Sequence, residues 1–288
     1  MSRRTKSFLS PKALAEAIGV SESSVKRWAD DGRILIQRTS GGHRRIPLAE
    51  AARFVRAERL TLADPASLGL APADPGTPDA GSDPIETALR QGAASELRDL
   101  LATRYLGGES LASLLDGPVS RAMTAVGELW HASEEGIMIE HRTSTALRNA
   151  LAGLAHLVPQ PGSDAPRAVG GCLAGDPGQL ASAMASLVLT GEGLLTVDLG
   201  ADTPAGPLAM AAADRKAHLV WVSVTHPPED PAAAQAAMDQ LRRTIGSRPL
   251  AVGGLGAANL DIGQGPVRIT SWAELAAFGA GIVSSAEG

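Results

Sequence analysis

One cysteine, Cys172, is all the sequence holds, which excludes an intramolecular disulfide framework and any cysteine-rich zinc site. No apolar run approaches the roughly 20 residues that span a bilayer. No segment has the charged start, apolar run and cleavage site of a signal peptide, so no membrane partner and a cytoplasmic location are expected. There is no G-x-x-x-x-G-K-[ST] phosphate loop, no Ser-His-Asp set and no carboxylate pair, and catalysis is not expected. Aromatic residues make up only 3 %, which with abundant Ala and Gly reads as compositional bias without functional content.

What is present is organised by charge. The 288 residues suffice for two or three domains with their own cores. The formal net charge of −5 hides an asymmetry: residues 1–60 carry thirteen Lys and Arg against six Asp and Glu, so a head of +7 precedes a remainder of −12. A basic head on an acidic body fits a polyanion such as nucleic acid, touched by one end only.

Inside that head, Ser10-Pro11-Lys12 predicts a helix start, with Leu14, Ala17 and Ile18 on one buried face. Gly19-Val20-Ser21 predicts a tight turn. SESSVKRWADDG follows as a second helix that buries Val25 and Trp28 and leaves Ser23, Ser24, Lys26 and Arg27 free to face outward. The next stretch, ILIQRTSGGHRRIPLAEAARFV, reads as strand, Gly-Gly turn, strand and helix. The pattern is a helix-turn-helix with a wing, and Arg38, His43, Arg44 and Arg45 lie in or beside the wing turn. RNA recognition would ask for aromatic platforms, and Trp28 is better used in the core.

Residues 61–84 are rich in Pro, Gly, Asp and Ala without a sustained period, and predict a flexible linker that leaves head and body loosely coupled. From 85 to 158 apolar residues recur at three- and four-residue spacing and predict a four-helix bundle. Beyond residue 166, AVGGCLA, LLTVDLG, HLVWVSVT, PLAVGG and VRIT alternate mostly with helical stretches. Five such strands predict a Rossmann-like, doubly wound parallel sheet spanning 166–288, with ligands beyond the C-terminal strand ends. The fold class is multidomain, α followed by α/β.

The head resembles the winged helix-turn-helix of the MerR family, whose regulators commonly read a palindromic promoter as dimers or larger oligomers. By that resemblance Ser23, Ser24, Lys26 and Arg27 lie on the major-groove helix, and Arg38, His43, Arg44 and Arg45 are wing contacts. Essentially the whole chain resembles the CarH/LitR group of MerR-type regulators through W-x9-E-H, here Trp130, Glu140 and His141, placed ahead of the doubly wound domain. In that group a helical bundle caps adenosylcobalamin on the Rossmann-like domain. The resemblance implies that Trp130 covers the upper axial group, that Glu140 and His141 flank it, and that His131 takes the upper site once light removes the adenosyl group. It also implies that Asp176, Ser223, Thr225, Gly253 and Gly254 line the cofactor cleft, small residues leaving room for a buried nucleotide tail.

One position departs from the pattern. The family's cobalt-ligating His of E/D-x-H-x-x-G falls at Gly178 in Gly175-Asp176-Pro177-Gly178-Gln179-Leu180-Ala181, and Ala181 replaces the final Gly. Glycine cannot ligate a metal. Three outcomes fit this loss: cobalamin bound with its own base or water below the cobalt, another planar ligand such as haem or a linear tetrapyrrole, or a ligand-free dimerisation module. His226, just past the third strand, is within the same set of loops, and Cys172 is expected to be buried and inert. The expectation is a dimeric or tetrameric transcription regulator binding double-stranded promoter DNA. The alternatives are a regulator with a vestigial domain and, in another class, a corrinoid carrier of a methyltransferase system.

Overall fold

The structure, a computed structural model, describes residues 7–70, 83–130 and 134–287. The chain divides into two units, 1–159 and 160–288.

The first unit opens with β1 (Phe8–Leu9), α1 (Pro11–Ile18), α2 (Glu22–Asp30), β2 (Gln37–Arg38), β3 (Arg44–Pro47) and α3 (Leu48–Ala57). Ser10 starts α1 by accepting the Ala13 amide at 3.1 Å, with Pro11 at the first helical position, and Gly19 ends it at φ 69°. Ser21 caps α2 through the Ser24 amide, also at 3.1 Å. The strands form a small antiparallel sheet in the order β1-β3-β2, in which β1 is an element the sequence pattern did not reveal. Leu14, Val25, Ile34, Ile46 and Phe54 fill its core. The Trp28 ring is tilted against Phe54 at 5.2 Å, with the Arg33 guanidinium over both.

Glu50 ties this core together. Its carboxylate is buried, accepts the Leu35 amide at 2.9 Å and is clasped by Arg53 through two hydrogen bonds of 2.7 Å. Arg53 also donates to the Arg33 carbonyl at 2.9 Å, so one α3 turn fixes the whole 33–35 connection.

The expected linker is folded in its first part. Ala63 and Asp64 amides donate to the Ala17 carbonyl at 2.8 and 3.1 Å, Pro65–Leu68 forms a 3-10 turn, and Leu68 and Leu70 are buried. Residues 71–82 lie outside the described residues. A second tie crosses from α3 to the next helices: Arg56 lies 4.0 Å over the Tyr105 ring and donates to the Tyr105 and Glu109 carbonyls. A cation thereby meets carbonyls at and just beyond the C-terminal end of α5, which the Pro- and Gly-rich composition of the linker gave no reason to expect.

The bundle comprises α4 (Pro84–Gln91), α5 (Ala94–Leu106), α6 (Leu111–Leu114), α7 (Ser120–Trp130) and α8 (Glu134–Ala155). A wide turn at 115–119 with Gly117 outside helical geometry and Pro118 inside joins α6 to α7. Ile85, Leu89, Leu97, Leu101, Val126 and Leu147 are fully buried between the helices.

The second unit is a five-stranded parallel sheet, as the alternating runs predict. It runs β4 (Arg167–Cys172), α9 (Gln179–Gly191), β5 (Leu195–Asp198), α10 (Ala205–Asp214), β6 (Leu219–Ser223), α11 (Pro231–Ile245), β7 (Leu250–Gly253), β8 (Val267–Ile269) and α12 (Trp272–Glu287). The strand order β5-β4-β6-β7-β8 is doubly wound, and its direction of growth reverses between β4 and β6. Val169, Val220, Val222 and Val252 face a core shared with α10 and α11. Alternation puts Ala168, Gly170, Cys172, Trp221, Ser223, Ala251 and Gly253 on the opposite face.

Replacing Glu50 by Ala strips partners from the Leu35 amide and Arg53 together. A loss of about 1–3 kcal/mol in denaturant unfolding is expected; an unchanged midpoint would show that the staple carries no stability.

Candidate functional site

The strand-end crevice lies where the loops after β4 and β6 part, the place at which open α/β sheets take ligands. Asp176 organises it. Its buried carboxylate accepts the Gly178 amide at 2.8 Å, the Thr225 hydroxyl at 2.5 Å and the Thr225 amide. Its own carbonyl accepts the Asp202 amide at 2.9 Å, and the Asp202 side chain accepts the Gly175 amide at 2.7 Å. Asp202 holds a left-handed backbone, φ 48°, to do so. Three loops, from β4, β5 and β6, therefore close on one aspartate.

The wall behind them is packed to its limit. A Cβ on Gly178 would overlap the Thr225 side chain, with Thr225 Cβ at 2.7 Å, although φ −72° at this residue would accept any amino acid. A Cβ on Gly170 would fall among the ring atoms of Trp221, which is itself buried and donates from its indole nitrogen to Ser182 Oγ at 3.1 Å. The Ser182 hydroxyl in turn donates a hydrogen bond to Asp198 Oδ1 at 2.6 Å. From the far side, Gly254 (φ +101°) and Gly256 press on the backbone of Val224 and His226. The Gly256 amide donates to the Val224 carbonyl at 2.9 Å, and any side chain at 256 would strike the His226 carbonyl.

Thr225 and Asp176 are thus joined by hydrogen bonds, while Ser223 is buried in β6 and Gly253 and Gly254 pack behind the loop. Trp221, Ser182, Asp202 and Gly256 were missed. The period of two along HLVWVSVT already placed Trp221 on the face of Ser223, and that was the available signal. Cys172 is buried as expected and its thiol donates to the Gly178 carbonyl at 3.1 Å. Burial, reinforced by the Asp176 charge, pushes its pKa up to about 12.

In the bundle, Glu140 accepts the Ser144 hydroxyl at 2.6 Å and lies 3.9 Å from His141, whose side chain is 74 % exposed. Ile137 and Met138, one turn earlier on α8, are also exposed. Trp130 is the last residue of α7, and His131 lies outside the described residues. In the head, Ser23, Lys26, Arg27, Arg38, His43 and Arg45 are exposed and Ser24 is half-buried. Arg44, expected as a wing contact, pairs with Asp30 of α2 at 2.6 Å, its side chain 24 % exposed. Lys26 pairs with Glu22 at 2.8 Å. A groove of about 600 Å³ between α2 and the β2–β3 turn is lined by Lys26, Gly42, His43, Arg44 and Arg45, among others.

No protein-family profile and no curated protein matches the chain. Among solved structures it is similar to the monomethylamine corrinoid protein of Methanosarcina barkeri, with a TM-score of 0.56 and 19 % identity over 69 % of this chain and 97 % of that one. It also matches a cobalamin-binding protein from Desulfitobacterium hafniense DCB-2, at 16 % identity over 71 % of this chain and 97 % of that one, but with a TM-score of 0.32. The first match establishes a shared Rossmann-like fold with a corrinoid protein. It covers more of the chain than residues 160–288 alone, so the likeness extends into the preceding helices.

The residues do not fit a cobalamin held through a histidine of the D-x-H loop with its nucleotide tail inside the sheet. Gly178 offers no donor, and Thr225 occupies the room a side chain there would need. Trp221 fills the face on which small residues would leave space for a tail. Among the described residues no three His, Cys, Asp or Glu side chains come together as a metal site.

Two outcomes follow. Gly178→His alone should cost about 1–3 kcal/mol through overpacking, and combined with Thr225→Gly, which itself removes a bond to Asp176, the two losses should be less than additive; additive losses in a double-mutant cycle would contradict the overlap. Cys172 should resist iodoacetamide at pH 8 in the folded protein and alkylate once unfolded, so rapid labelling of the native state would refute its burial.

Proposed function

We propose that the chain is a DNA-binding transcriptional regulator whose head grips promoter DNA as a winged helix-turn-helix, and whose corrinoid-type body sets how many heads act together. The observation that carries this reading is the groove between α2 and the β2–β3 turn, where Lys26, His43, Arg44 and Arg45 outnumber the one acid, Glu22, in a head of net charge +7. A helix of this length enters a major groove about 12 Å wide. Beside it, Arg38, His43 and Arg45 project from the wing, where cations meet phosphates.

The Arg44–Asp30 pair gives the wing a fixed angle to α2. Arg44 is therefore assigned to positioning, and the phosphate contacts to Arg38 and Arg45. Self-association of the body would raise the affinity of linked heads without new base contacts. The chain is proposed as a regulator and not as a catalyst. A light response through a photolabile corrinoid bond is left out of the proposal, since it depends on the His-held fit that Gly178 and Trp221 disfavour.

The test is fluorescence anisotropy of the full chain on duplexes selected from a random library, repeated across salt concentrations. Specific binding with a steep negative slope of log affinity against log salt is expected. Arg45→Ala should weaken binding on every sequence and reduce the slope by about 1. Binding that ignores salt, or an Arg45→Ala loss confined to one base position, would contradict the phosphate role.

A further inference from the structure

We infer that the cleft between the C-terminal end of α4 and α8 is a binding site for a small phosphate monoester, held by Arg90 and Arg142. The inference goes beyond the DNA-binding reading and does not rest on it.

The cleft is cationic by construction. Its volume of about 470 Å³ is in the range of small-molecule pockets, and it is lined by Thr87, Arg90, Gln91 and Arg142, with no acid among them. The carboxylates nearest in sequence are engaged elsewhere: Glu86 accepts from Arg121 at 2.6 Å and Glu140 accepts the Ser144 hydroxyl at 2.6 Å. Among the described residues neither Arg90 nor Arg142 has a carboxylate partner. Like charges bordering one cleft repel each other, and an anion between them reverses the sign of that interaction.

Arg142 is held in place. Its stem lies against Gly92, where a Cβ would fall 2.6 Å from Arg142 Cγ, and Gly92 closes α4 at φ 69°. Its Nη2 donates to the Arg90 carbonyl at 3.0 Å, and the next residue, Thr143, donates to the Leu89 carbonyl at 3.2 Å. That single bond leaves most of the guanidinium's donors unspent. The carbonyl end of a helix ordinarily disfavours an anion. Here the Ala88 and Leu89 carbonyls accept the Ala93 and Gly92 amides, both at 2.9 Å, and Arg142 covers the Arg90 carbonyl, so the arginines set the sign of the cleft.

Thr87 adds a hydroxyl. Its oxygen is buried and has no hydrogen-bond partner among the described residues, while its side chain borders the cleft. Threonine has two favoured χ1 wells in a helix, and exchanging hydroxyl for methyl turns the donor toward the cleft. Two guanidinium forks and a hydroxyl ask for more acceptor oxygens than a carboxylate carries, and the phosphoryl group of a monoester supplies them. The remaining volume, with the Gln91 amide on its wall, takes the organic part.

The test is isothermal titration calorimetry of the full-length protein with inorganic phosphate, glycerol 3-phosphate, acetate and dimethyl phosphate. Saturable binding of the first two is expected, with acetate and the diester weaker by about 10-fold. Arg90→Gln and Arg142→Gln should each weaken glycerol 3-phosphate by about 10-fold or more, whereas Arg148→Gln, at an exposed position elsewhere on α8, should leave it unchanged. Thr87→Val should lower affinity without lowering the thermal midpoint, a split that a purely structural hydroxyl would not give. Absence of saturable binding, equal binding by Arg90→Gln, an Arg148→Gln loss as large as those of the site variants, or preference for acetate or the diester would overturn the inference.

Discussion

The crevice depends on one carboxylate. Asp176 accepts from two amides and one hydroxyl, and its backbone holds Asp202, so loops from β4, β5 and β6 are fixed by a single buried acid. Hydrogen bonds to a charged acceptor are worth about 1.5–3 kcal/mol each, and leaving one unmade inside the protein costs a comparable amount. The arrangement therefore tolerates little drift. Beyond it, the Thr225 hydroxyl oxygen also lies 2.8 Å from His226 Nδ1.

Around that acid the second unit is built from close approaches. Glycines at 170, 178, 254 and 256 each meet a neighbour where a side chain would be: a ring, a hydroxyl-bearing side chain or a carbonyl. Two of those neighbours, Trp221 and Thr225, fill the volume against Gly170 and Gly178 with side-chain atoms. Filling that volume gives these strand ends the packing density of a protein interior.

The first unit rests on a similar economy of anchors. Glu50 closes the small sheet onto α3, Arg44 reaches from β3 to α2, and Arg56 meets the end of α5. Each arginine that is tied into the fold is unavailable for a partner. The basic surface is consequently smaller than a count of cations in the head suggests, and it is concentrated on α2 and the wing turn.

Much of this was legible in the amino-acid sequence. Ser10-Pro11 and Ser21 mark helix starts because hydroxyls satisfy orphan amides locally, and the apolar runs of β4, β6 and β7 mark strands because burial on both faces demands continuous apolar side chains. The loss of a donor at Gly178 needed no structure either. What the tertiary structure alone decided was pairing at a distance. Strand order, the Arg44–Asp30 and Arg56–Tyr105 contacts, the folding of residues 63–70, and the meeting of Thr225 with Gly178 join residues as far apart in sequence as Cys172 and Ser223. Local propensity carries no information over such separations, because it is set by neighbours within a few residues, whereas these contacts exist only once the sheet and core have brought distant segments together.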